Sequence, residues 1–242
     1  MNLALLGDIH GNLPALERVL KEIEKEKAVD GIFCTGDIVG YGPQPNEVVE
    51  LIKSNGIKTV MGNHDEAVGY NLPMCGCNYP SDRARAAGEK SLAWTKERIT
   101  KDNRQFLRNL PEELSIVLPD GSSALVFHGS PRAINEYITY NLEDEILDEL
   151  IMYSDARVLI FGHTHIPFVR TYKGRLLINT GSVGQPKDGD NRACFILADF
   201  SPNGVTIKNR RVEYDINQVV SHMLDLGLPD EHIETLRSGR LF

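Results

Sequence analysis

Cysteine is scarce in this sequence: Cys34, Cys75, Cys77 and Cys194 are the four among 242 residues. That is too few for a disulfide framework, and no C-x-x-C repeat marks a zinc ribbon. Cys34 and Cys194 lie in apolar runs and read as small core residues. Cys75-Gly76-Cys77 reads as a structural or incidental pair whose thiols stay reduced. Long apolar runs are missing too. None approaches the ~18 residues of a membrane-spanning helix. The opening MNLALLGDIHGN lacks a basic leading region and turns polar early, so it reads as a buried strand rather than an export signal. The expected location is the cytoplasm. Positive charge is in deficit: 26 Lys and Arg stand against 34 Asp and Glu, a formal net charge of −8. This argues against stable nucleic-acid binding, which draws on a basic face. It leaves a phosphate-bearing ligand open, because bound cations reverse the sign locally.

What remains is an ordinary globular composition, 41% hydrophobic and 25% charged, able to bury a core without staples. No repeat or low-complexity linker divides it, so a single domain over 1–242 is expected. The first half alternates. Strands are expected at 2–7, 30–35 and 58–61, with helices at 13–27 and 45–55. In the first helix Leu13, Leu16, Val19, Leu20 and Ile23 recur at helical spacing behind Pro14. Such β-α-β-α-β alternation predicts parallel strands with helical crossovers. Residues 66–112 have few strand signals and read as a helical excursion that caps the site. The second half is strand-rich, at 114–118, 123–128, 157–161, 166–172, 175–178, 193–199 and 204–213, with helices at 143–152 and 215–226. Two sheets packed face to face with helices outside accommodate this order. The tail from 227 onward is polar and shows no clear pattern.

Five of the seven histidines, His10, His64, His128, His163 and His165, stand beside Gly, Asp or Asn just after an apolar strand-like run. In α/β folds the loops after the carboxyl ends of strands build the site. Asp8-Ile9-His10 and His163-Thr164-His165 each place two donors at i and i+2, on one side of an extended chain. Asp37 ends the second strand with a carboxylate able to bridge two cations. Asn63 offers an amide oxygen, and His128 ends a further strand. A mixed Asp, His and Asn set suits borderline transition metals, not an all-oxygen calcium cage, and no thiolate joins it.

These segments, GDIHGN, GDIVGYG, GNHD, FHGS and GHTH, resemble in order the five-block signature of the calcineurin-like metallophosphoesterases, over residues 3–200. The likeness is nearest to the compact bacterial and archaeal phosphodiesterase-like branch, which also carries stretches like NTGSVGQPKDGD. The resemblance implies an α/β fold, a four-layer α-β-β-α sandwich of two mixed sheets. It implies two divalent transition-metal ions, Mn²⁺ foremost, with Fe, Zn, Ni or Co as alternatives. Asp8, His10 and His165 would hold the first, Asn63, His128 and His163 the second, and Asp37 both. His64 is then left as general acid, or as stabiliser of the leaving oxygen. The implied activity is hydrolysis of a small phosphodiester or nucleotide phosphoanhydride by a metal-activated water. A phosphomonoesterase, and a non-catalytic protein-interaction scaffold of the same fold, are the alternatives.

The sequence departs from one branch. Protein phosphatases and symmetrical dinucleoside tetraphosphatases carry G-D-x-V-D-R-G, whereas here Gly40 replaces the Asp and Tyr41 the Arg. Phosphoprotein hydrolysis is therefore not expected. Tyr41 has two readings, stacking on a base or aryl group, or packing. Asn12 and Arg132 are further candidates for substrate contact, and Asn179, Ser182 and Gln185 for lining the site.

Overall fold

The computed structural model describes residues 1–26, 28–202 and 204–241. Lys27, the expected end of the first helix, and Phe242, the expected end of the domain, lie outside the described residues. The elements run β1 (Asn2–Leu6), α1 (Leu13–Ile23), β2 (Gly31–Cys34), α2 (Pro45–Ser54), β3 (Lys58–Thr59), α3 (Asn63–Gly69), α4 (Asp82–Arg98), α5 (Lys101–Arg108), β4 (Leu114–Val117) and β5 (Ser123–Val126). The chain continues through α6 (Asp144–Ile151), β6 (Val158–Phe161), β7 (Phe168–Tyr172), β8 (Arg175–Asn179), β9 (Ala193–Ser201), β10 (Gly204–Val212), α7 (Ile216–Asp225) and α8 (Asp230–Ser238).

Among the described residues ten strands form two mixed sheets, ordered β10-β9-β1-β2-β3 and β4-β5-β6-β8-β7. The strand β1 is central, and it is apolar and buried from Leu3 to Leu6 because both its faces are covered there. Its alternation separates two cores. Leu3 and Leu5 point between the sheets, meeting Val126, Ile160, Ile178 and Ile196. Ala4 and Leu6 point the other way, against Leu16, Val19, Val48 and Ile52 of α1 and α2. The second sheet repeats the device. Ala124 and Val158 face the inter-sheet core, while Leu125, Phe127, Leu159 and Phe161 pack on Leu147 and Leu150 of α6. The result is the four-layer α-β-β-α sandwich expected from the sequence.

Within each sheet the parallel pairs place their carboxyl ends at a common edge: β1, β2 and β3 in one sheet, β5, β6 and β8 in the other. The residues 66–112 contain α4 and α5 and most of α3, and no strand. The patternless tail contains a helix, α8. Its Ile233 and Leu236 pack with Val219, Val220 and Met223 of α7 and with Trp94 of α4. Its apolar stripe is too short to stand out in a polar segment, and tertiary packing stabilises it.

Candidate metal centre

Each strand end at the shared edge delivers one piece of the cluster. Asp8 and His10 follow β1, Asp37 follows β2, Asn63 opens α3 after β3, His128 follows β5, and His163 and His165 follow β6. All seven side chains are buried. Their donor atoms converge in two groups. In the first, His165 Nε2 lies 3.1 Å from His10 Nε2 and 3.3 Å from Asp8 Oδ1. In the second, His128 Nε2 lies 2.9 Å from Asn63 Oδ1 and 3.2 Å from His163 Nδ1. Asp37 Oδ2 stands between them, 3.6 Å from His10 Nε2 and 3.5 Å from His128 Nε2. Bonds of about 2.1 Å to one cation would place its ligand atoms roughly 3.0–3.4 Å apart, so these spacings fit metal coordination.

The two oxygens of the Asp37 carboxylate have different surroundings. Oδ1 accepts the His64 backbone N–H at 2.8 Å, and Oδ2 alone faces both triads. Asp8 Oδ2 accepts the His163 N–H at 3.0 Å, leaving buried Oδ1 without a hydrogen-bond partner among the described residues. A buried carboxylate oxygen without a donor is costly, and a cation there would satisfy it.

Second contacts aim the rings. His10 Nδ1 faces Val39 O at 3.1 Å, His128 Nδ1 faces Thr35 O at 2.7 Å, and His165 Nδ1 faces Gln185 O at 2.6 Å. A neutral ring that donates from Nδ1 to a carbonyl presents Nε2 as a lone pair, the form a metal needs, and His128 reaches that form once it loses its proton. The backbone is strained at the same places. Of nine non-glycine residues with positive φ among those described, five are Asp8, His10, Asp37, His163 and His165, and a sixth is Tyr41. Such conformations are unfavourable for L-residues and collect at functional sites.

Electrostatics divide the cluster. Burial keeps His10 and His165 well below the ordinary imidazole range, lowers His64 to about 4 and lowers His163 to about 3, so all four are neutral. Burial also opposes charge on Asp37, but the charged ring of His128 outweighs it and holds this carboxyl well below its usual range. Its partner His128, although buried, is raised to about 9, chiefly by Asp37. Burial pushes Asp8 up to about 7.

His64 lies beside the triads. Its ring packs edge-on to His10, with centroids 5.1 Å apart, and its Nε2 is 3.3 Å from Cys77 Sγ. Cys75 and Cys77 are joined in a disulfide, against the expectation of reduced thiols there; Cys34 and Cys194 are free and buried. The turn at Gly76, with φ at 72°, brings the two sulfurs together.

Three expected substrate contacts have other employment. Asn12 caps α1 by accepting the Ala15 N–H at 3.2 Å, and donates to Gly184 O at 2.8 Å and Tyr214 Oη at 3.2 Å, so its amide is used by the fold. Arg132 is tied to Glu136 at 2.5 Å and Glu149 at 2.9 Å, a surface ion pair. Tyr41 is buried among the rings of His10, His64 and His232, at 4.4–4.5 Å between centroids, which favours packing over stacking on a ligand. Asn179, Ser182 and Gln185 brace the site loops. Asn179 Nδ2 donates to Gly162 O at 2.8 Å, and Ser182 Oγ donates to Asp8 O at 2.7 Å.

Sequence reasoning gave no role to Asp65, Lys187 or Tyr137. Asp65 accepts the N–H groups of Ile38 and Val39 on Oδ1, and of Gly62 on Oδ2, which locks the Asp37 loop to α3. Its place in G-N-H-D was the available signal. Lys187 lies after the Gly-rich stretch, and burial lowers its ammonium to about 8. The Tyr137 ring covers His163 at 4.1 Å.

A four-layer sandwich with this Asp, His and Asn cluster at the strand ends is the architecture of a metallophosphoesterase. The chain belongs to the calcineurin-like phosphoesterase superfamily, whose domain matches residues 1–202. It is similar to an uncharacterised protein of Methanocaldococcus jannaschii, 36% identical over 98% of each chain. It is also similar to the crystal structure of a metallophosphoesterase from Sphaerobacter thermophilus, with a TM-score of 0.78 and 31% identity over 99% of each chain. A symmetrical bis(5'-nucleosyl)-tetraphosphatase of Klebsiella pneumoniae is 32% identical over 49% of this chain and 42% of its own length. The family works with divalent metal ions on phosphate esters. Among the described residues no helix is long and apolar enough to cross a membrane.

Proposed function

We propose that this protein hydrolyses a small phosphodiester or a nucleotide phosphoanhydride with two divalent metal ions. The observation that carries this reading is the position of Asp37 Oδ2, 3.6 and 3.5 Å from the nearest nitrogens of two separate donor groups. Asp8, His10 and His165 would hold one cation, Asn63, His128 and His163 the other, and Asp37 would serve both. Bound there, divalent cations would supply Lewis-acid polarisation of the phosphoryl oxygens and a water of lowered pKa. Manganese is the first choice of metal, with Fe, Zn, Ni and Co as alternatives, since mixed nitrogen and oxygen donors without thiolate suit this borderline group.

The protein's own groups do the rest. Carbonyls of Val39, Thr35 and Gln185 fix the ring tautomers. His64, held next to the cluster and outside the proposed ligand set, stays neutral and stabilises the departing oxygen with a hydrogen bond from its ring N–H. The partial likeness to a symmetrical tetraphosphatase supports the anhydride as substrate. The test is turnover of bis-p-nitrophenyl phosphate and diadenosine tetraphosphate by metal-stripped protein, before and after adding Mn²⁺. Activity that appears with metal and disappears with chelator is expected. Inactivity across Mn²⁺, Fe²⁺, Zn²⁺, Ni²⁺ and Co²⁺ on both substrates defeats the reading.

A further inference from the structure

A cleft opens beside the metal centre, lined by Tyr41, Tyr79, Tyr137, His163 and Lys187 among others. No acidic side chain is among its described lining residues. Lys187 is therefore out of place as an ordinary ion-pair lysine. Its backbone N–H donates to His165 O at 3.4 Å, which fixes it to the ligand loop. Its ammonium lies 5.7 Å from the centroid of the Tyr41 ring, and no carboxylate among the described residues comes within salt-bridge distance of it. Its charge nevertheless acts on Asp8, His10, His64, His163 and His165. A half-buried cation balanced only at longer range, by Asp8 and Asp37, and with no direct ion-pair partner among the described residues is a place for a further anion at the mouth of this cluster.

We propose that Lys187 is a specificity residue that binds a second phosphoryl group, adjacent to the one engaged at the metal centre. This gives the site a preference for substrates with consecutive phosphates over substrates with one. The sequence supports the placement. The position that carries Arg in the G-D-x-V-D-R-G pattern is Tyr41 here, and Lys187 brings a cation to the face of that tyrosine from a different loop. Lysine acts as a point charge with three donors, so it suits an anion whose orientation is already set by metal. The rings of Tyr79 and Tyr137 wall the same cleft and offer flat apolar surface to a nucleoside attached to the chain of phosphates.

This inference rests on the phosphoesterase reading, and its test separates the two. Full-length, Mn²⁺-loaded wild type, Lys187→Met and Lys187→Arg would be compared in two ways. The first is the ratio of kcat/KM for diadenosine tetraphosphate to that for bis-p-nitrophenyl phosphate. The second is the ratio of pyrophosphate to orthophosphate affinity by calorimetry. Loss of one charge-assisted contact predicts that both ratios fall about ten-fold in Lys187→Met. Lys187→Arg, which keeps the charge, should retain most of each. Manganese content, measured on all three, should be equal. Unchanged ratios in Lys187→Met overturn the proposal, as does a loss of manganese or an equal fall on both substrates. If wild type turns over neither substrate, the functional reading fails, while the pyrophosphate ratio still decides the role of Lys187.

Discussion

The Nδ1 atom of His64 lies 2.4 Å from the point a Cβ on Gly40 would occupy. That nitrogen is buried and has no hydrogen-bond partner among the described residues. In the related G-D-x-V-D-R-G pattern this position is Asp, so a side chain stands where this chain has none. Gly40 has φ at 94°, a backbone conformation that L-residues rarely adopt. The glycine thus serves two needs at once, a left-handed turn and clearance for the imidazole.

Gly40→Ala should therefore push His64 out of place. The expected outcome is a loss of stability of about 1–2 kcal/mol from the backbone alone, with turnover down ten-fold or more and metal content retained. Thermal unfolding, metal analysis and kinetics on one preparation check this. Wild-type turnover in the variant would show that His64 has no need of its present position.

His64→Ala should keep both metal positions and lose most turnover, by about 10²–10³-fold, the usual cost of removing one positioned hydrogen-bond donor to a developing charge. Metal analysis alongside kcat is the measurement. A fall in metal content would move His64 from catalysis to the ligand set, a position that its closeness to Asp37 and His10 also allows.

Asp37→Asn should weaken metal binding at both positions, because Oδ2 faces both triads. Titration of the stripped variant with Mn²⁺ reads this directly. Retention of one tight ion would argue that Asp37 belongs to a single metal.

Metal uptake should release protons. Without metal, His128 is raised to about 9 and Asp8 to about 7, so at pH 7 His128 is charged and Asp8 about half protonated. Both must lose those protons to act as ligands. Lowering the pH below 7 therefore strengthens the proton's competition, and apparent metal affinity should fall. Calorimetry in buffers of different ionisation enthalpy counts the protons. Affinity that is flat between pH 6 and 9 would contradict this.

Asn12→Ala should act on stability rather than on substrate affinity. Removing the α1 cap costs about 0.5–2 kcal/mol, and the bonds to Gly184 and Tyr214 go with it. A lower melting temperature with KM unchanged is expected. A raised KM at full stability would restore Asn12 to the substrate site.

Much of the molecule was legible because its signals are local. The strand β1 announces itself as an apolar run, α1 as a 3.6-residue stripe behind a cap, and the donor residues as polar stops after strands. The helix α8 was not legible, since its few apolar residues gain meaning only against α7 and Trp94. The disulfide was hidden for a related reason: a C-x-C spacing does not say whether the turn between brings the sulfurs together. Arg132 and Asn12 looked available because sequence shows a side chain's chemistry and not its existing partners.

The sequence by itself determined the class of fold and the kinds of donor atom. Hydrophobic periodicity dictates which faces are buried, and residue type dictates which atoms can bind a metal. Only the tertiary structure decided how those atoms meet. Five loops distant in sequence converge because parallel strands share a carboxyl edge and two sheets pack face to face. That convergence leaves one oxygen of Asp37 between two triads, clears a space at Gly40 for His64, and brings the ammonium of Lys187 to the mouth of the site. Each of these is a distance across the fold, set by packing, and no spacing along the chain encodes it.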